Sequence, residues 1–235
     1  MTYETEVFTS SIVVVGDFNP AIISPGWLAR NGLIGEDDAK AAREDQNYGK
    51  TLLVSHQVTN FETSWFTLQV LENQFSLTNK EALSTAFKDL AVGIFQLLSH
   101  TPANAVGLNF MAHFKLGDKD EYHRVGDKLA PKSIWENAFS EEFAIGTEHL
   151  TMVFQAGGRD DSRKTKDSKR ISLQASNRIK YGIKLSLNDH HDVSSCSVHP
   201  TQAEKVAEII DTEWQETWNQ AKKAFDHVLS RATEQ

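Results

Sequence analysis

The sequence has one cysteine, Cys196, in 235 residues, so no disulfide can form within the chain. A single thiol fits a reducing compartment. No apolar run approaches the roughly 20 residues that a membrane-spanning helix needs. The first residues, MTYETEVFTSS, lack a basic stretch followed by an apolar core. They predict no signal peptide and a cytoplasmic chain. Positive charge is in deficit, with 24 Lys and Arg against 32 Asp and Glu, and the formal net charge is −8. That balance opposes general binding to nucleic acid or to an anionic membrane. Also missing are a P-loop, a G-x-G-x-x-G fingerprint and a G-x-S-x-G nucleophile elbow. There is no HExxH element and no paired CxxC. Internal repeats and low-complexity tracts are absent as well.

What remains is an ordinary globular mixture, 40% hydrophobic and 24% charged. The length allows one large domain or two small ones, and either can bury a core without staples. SIVVVGDF (11–18) reads as a buried strand. Ser24, Pro25 and Gly32 bracket a two-turn helix, and 36–46 reads as a second, exposed helix. Residues 51–76 alternate with period two and read as a hairpin turning at Asn60–Ser64. Thr78 and Glu81 match a capping box for a helix over about 79–99. Strand 104–116 follows, which completes a ferredoxin-like β-α-β-β-α-β first half. The charged segment 117–133 reads as a long loop or linker, where a subdivision of an otherwise single 1–235 domain could fall. Three more alternating strands are marked by Leu150–Phe154, Ile171–Ala175 and Tyr181–Leu187. Thr201 and Glu204 cap a long C-terminal helix with an apolar stripe through Trp214, Trp218 and Phe225. The expected class is α+β: a largely antiparallel sheet with helices on one face.

The stretch KLSLNDHHDVSSCSVHP (184–200) concentrates groups that ligate metals. Asp189, His190, His191, Asp192 and His199 could hold zinc or another divalent ion, with Asp189, His191 and His199 the candidate set. Adjacent histidines at a strand end point to opposite sides, which works against a shared ion. The competing reading ends a strand at Leu187 and makes a polar turn into the last helix.

HFKLGDKD (113–120) matches H-x-K-x4-D. In that motif the chain resembles the phospholipase D-like phosphodiesterases. The resemblance implies that His113 is the nucleophile, that Lys115 binds phosphate and that Asp120 supports the site. It spans eight residues, a single copy, with no Gly-Ser-x-Asn and a polar continuation. The other reading is a polar outer sheet face.

The basic segment around Arg159, Arg163, Lys164, Lys166, Lys169 and Arg170 is interleaved with acids and lacks aromatics. It reads as a solvated hairpin tip. On the strands after 104, Asn109, His113, Thr151, Gln155, Ser172, Gln174, Lys184 and Ser186 alternate with the apolar positions. That side is polar but little charged, and it or a sheet edge is a candidate protein-binding face. No convergent acid, base and nucleophile set is visible. The expectation is a non-catalytic cytoplasmic binding or assembly protein, such as an accessory subunit, with no cofactor. Its expected partner is another protein or a second copy. The alternative is a hydrolase, metal-dependent through 189–199 or phosphodiesterase-like through His113.

Overall fold

Alternation of apolar and polar residues is the dominant pattern, and in the computed structural model it yields a single nine-stranded sheet. The structure describes residues 4–44, 51–80, 83–136, 138–139, 145–155, 167–195 and 201–234. The strands are β1 (Glu4–Gly16), β2 (Leu53–Val54), β3 (Val58–Glu62), β4 (Phe66–Leu71), β5 (Gln74–Asn79), β6 (Ala103–Lys115), β7 (His149–Gln155), β8 (Ser168–Ala175) and β9 (Gly182–Asp192). Their order across the sheet is β2-β3-β4-β5-β1-β6-β9-β8-β7. Every neighbouring pair is antiparallel. The helices are α1 (Pro25–Arg30), α2 (Glu36–Glu44), α3 (Thr85–Leu97), α4 (Lys119–Leu129) and α5 (Gln202–Thr233). The class is α+β with a long C-terminal helix, as the pattern implies. No helix among the described residues is long and apolar enough to cross a membrane.

The ferredoxin-like detail does not hold. That arrangement places a single strand between β1 and the strand that follows the first helix. Here three strands, β5, β4 and β3, lie between β1 and β2. The cause is a two-residue turn: Leu71 pairs with Gln74 across Glu72–Asn73, so one predicted strand is really two, β4 and β5. The extra strand β5 separates β1 from β4. The predicted capping box at Thr78 also fails, because Thr78 lies within β5, and Glu81 lies outside the described residues. Ser84 caps α3 instead, accepting from the Phe87 N–H at 3.4 Å. The charged segment 117–133 contains a helix rather than a continuous linker. Asp118 caps α4 by accepting from the Glu121 N–H at 2.8 Å. Tyr122, Val125 and Leu129 then fall on one helical face toward the core.

The helix side of the sheet carries Ile12, Val14, Leu68, Val70, Phe75, Leu77, Leu108, Phe110, Leu185 and Leu187, all buried. Trp214 of α5 is wedged between Phe87 of α3 and Phe110 of β6, with ring centroids 5.5 and 4.7 Å away. At the far end, α1 and α2 close over β3 and β4. Thr59 Oγ1 donates to the Pro20 carbonyl at 2.7 Å, and Trp65 Nε1 donates to Asp38 Oδ2 at 3.2 Å. Helix α5 lies over β6 and β9. The sheet then continues two strands further, through β8 to β7.

Candidate interaction surface

His113 lies on the side of the sheet away from the helices, yet it is only 1% exposed. The β8–β9 turn covers it. Ser176 Oγ sits 2.8 Å from His113 Nδ1. The same oxygen accepts from the Arg178 and Ile179 N–H groups at 3.1 and 2.9 Å. With both acceptor positions used, the Ser176 hydroxyl proton points to Nδ1, so the ring proton sits on Nε2. Burial, reinforced by the Arg178 and Lys184 cations, pushes the His113 pKa below the ordinary histidine value. Lys115 is exposed, 3.9 Å from Glu6. Asp120 is exposed in the first turn of α4. The three motif residues therefore occupy a covered strand position, an open strand end and a helix start. Among the described residues, no hydrogen bond or ion pair joins them.

The second predicted cluster is divided by the strand. β9 does not stop at Leu187; it runs to Asp192 because β6 offers a partner for every residue, ending with Ala105 opposite Asp192. Asp189 and His191 therefore share the helix side, while His190 points the other way. Asp189 is 3% exposed beneath α5. It accepts from Lys169 Nζ and, at 2.8 Å, from Thr217 Oγ1. His191 Nε2 lies 3.4 Å from its other oxygen. Burial alone would raise the Asp189 pKa, but His191, Lys169 and Thr217 outweigh it and hold the carboxyl down at about 2. The His190 pKa is lowered, chiefly by burial and then by Arg170. His199 and Cys196 lie outside the described residues. No trio of His, Cys, Asp or Glu among the described residues is placed to hold a metal. Of the basic segment, Arg159, Arg163, Lys164 and Lys166 lie outside the described residues.

The polar side chains expected on one sheet face do share it. Ser172 pairs across from Ser186, Gln174 from Lys184, and Thr151 from Ser172. A groove of about 400 Å³ runs over this face beside Ser11, Asn109, Arg170 and Asn188. Asn188 Nδ2 donates to Asn109 Oδ1 at 2.8 Å. Gly107 makes that contact possible, since a Cβ there would lie 2.8 Å from Asn188 Nδ2.

The least expected feature lies at the sheet's β7 end. Seven of the 13 exposed large hydrophobic residues among those described fall between 134 and 154. In β7 itself, Met152, Val153 and Phe154 are each more than half exposed. An apolar groove of about 480 Å³ separates this strand from α5, lined by Phe154, Ile171, Leu187, Ala224 and Val228, with Lys169 and Lys223 at its rim. A helix is about 10 Å across and strands are about 4.8 Å apart, so one helix covers about two strands. α5 lies over β6 and β9; beyond them β8 still buries Leu173 and half-buries Ile171, while β7 leaves Met152 and Phe154 exposed among the described residues. Sequence patterning took Leu150, Met152 and Phe154 as core positions. The overlooked signal is Val153 between them, which gives three consecutive apolar residues where a half-buried strand alternates. No protein-family model matches the chain, and no curated protein matches it.

Proposed function

We propose that the protein is a non-catalytic cytoplasmic binding or assembly module that engages another polypeptide at the β7 end of its sheet. One observation carries the reading: an apolar edge strand stands beside an apolar groove that α5 lines on one side and does not fill. Exposed contiguous apolar surface of this kind marks interaction sites. A sheet edge offers main-chain hydrogen bonds, and the groove offers side-chain pockets, the two components of strand-addition recognition. The covered His113 and the buried, hydrogen-bonded Asp189 support a structural role for the polar clusters.

The test is a comparison of the tagged parent with a Phe154→Asp variant, both purified from the cell of origin. Phe154 is 54% exposed, so the variant should fold, as far-ultraviolet circular dichroism would verify. Loss of associations in the variant supports the reading. A folded variant that keeps every association refutes it. Turnover of a phosphodiester substrate above a His113→Asn control would replace it with the hydrolytic reading.

A further inference from the structure

Sheet edges in natural proteins are blunted by short strands, by Pro or inward-pointing charge, or by bulges. The β2 edge is two residues long. β7 has none of these devices. HLTMVFQ contains no Pro, Lys, Arg, Asp or Glu. Its pairing with β8 runs without a register shift from His149–Gln174 to Gln155–Ser168. Among the described residues, no strand pairs with its outer side.

An occupant of this edge must be an extended strand with apolar residues at alternate positions, continuing the row of Leu150, Met152 and Phe154 on the helix side. β7 has that pattern. Resting on the binding reading above, we infer that the occupant is a second copy of this chain, paired antiparallel through β7 about a two-fold axis at Met152. In this register Met152 faces its own copy, Leu150 faces Phe154 and Thr151 faces Val153. All seven residues pair, and the contact is isologous and closed, so it stops at a dimer. No like charges meet within the strands, despite the net charge of −8. The charges beyond them are complementary. The exposed Glu148 precedes β7 on the side of Leu150. The two-fold carries it past Gln155 of the second copy, toward that copy's Lys223 at the groove rim.

Seven strand residues are fewer than the roughly 20–30 a side of a standard interface. The dimer is therefore of modest affinity, and its size should be measured by sedimentation from about 1 μM to about 1 mM. The parent is expected to pass from monomer to dimer in that range. Met152→Lys and Met152→Glu each place like charges at the axis and should weaken the dimer at least about tenfold. Mixing the two variants should restore a heterodimer, because position 152 meets itself only in this register. A third variant, Met152→Cys with Cys196→Ser, should form an interchain disulfide on mild oxidation. The Cα separation of directly opposed residues, about 4.5–5.5 Å, falls in the disulfide range. A parent that stays monomeric throughout overturns the inference. So does a dimer indifferent to both charged variants, or one that the mixture fails to restore. None of these three outcomes touches the Phe154→Asp comparison, which tests binding to any partner.

Discussion

Replacing Asp189 by Asn tests whether the buried polar cluster under α5 stabilises the fold through charge. The carboxyl is 3% exposed. Burial works against its ionised form, and the neighbouring His191, Lys169 and Thr217 more than compensate, so its pKa falls from the ordinary 3.8 to about 2. At about 1.36 kcal/mol per pH unit, that depression is worth about 2 kcal/mol. Because the folded value lies below the unfolded one, the unfolded chain binds the proton first as pH drops. The stabilisation is complete above about pH 4 and is lost as pH falls through about 2. Asn keeps the shape and can still accept from Thr217, but carries no charge for Lys169, whose side chain is 41% exposed and can turn to water. Asp189→Asn should therefore cost about 2 kcal/mol at pH 7, measured by urea unfolding. The difference from the parent should shrink between pH 4 and pH 2. A Thr217→Val control removes one charge-assisted hydrogen bond and should cost about 1–3 kcal/mol. A parent–Asn difference that stays constant across that pH range would refute the argument: the loss would then come from packing or hydrogen-bond geometry.

Three further perturbations probe the rest of the framework. Trp214→Ala removes a side chain 2% exposed between Phe87 and Phe110, and should cost about 3–5 kcal/mol in urea unfolding; a loss within the surface range of about 0.5 kcal/mol would detach α5 from the core. The lowered pKa of His113 means the unfolded chain takes up a proton first. Stability should thus fall as pH drops through the ordinary value of 6.5, and thermal unfolding of His113→Asn should show a shallower slope there, with His190→Asn removing more of it. Gly16→Ala would set a Cβ 2.2 Å from the Pro102 carbonyl oxygen and should cost about 1–3 kcal/mol, whereas Gly126→Ala in α4 meets nothing within 4 Å and should gain up to about 1 kcal/mol.

Much of the fold was legible because period and cap act locally. The alternating rows of β6, β8 and β9 landed on the faces their sequence implies, and the Thr201–Glu204 capping box opens α5 as read. Gly32 takes the left-handed conformation with φ 70° at the end of α1. The failures came where a short signal competed with a long pattern. Glu72–Asn73 breaks an apparently continuous strand in two residues, and that one turn removes the ferredoxin-like pairing. In 117–133 the density of charge masked a helix whose apolar stripe is only Tyr122, Val125 and Leu129. β9 outran its apolar residues because pairing with β6 satisfies its backbone irrespective of side chain.

The candidate surface was less legible than the fold, for a physical reason. Alternation says which residues share a face but not whether another element covers that face. Leu187 of β9 and Phe154 of β7 both belong to alternating apolar rows, yet one is 2% exposed and the other 54%. The difference is set by α5, a 32-residue helix whose contacts with the sheet centre on β6 and β9. It does not shield β7, the strand furthest beyond. Among the described residues the layer packed on this sheet leaves an apolar margin at β7, and that margin includes its three apolar residues in succession. The open-face residue Val153 makes the edge apolar on its second side as well. A strand that merely bordered solvent would gain nothing from Val153, while a strand that pairs with another chain would place it against a neighbour. That asymmetry between what the fold needs and what β7 carries is the physical ground for the proposal that this surface binds.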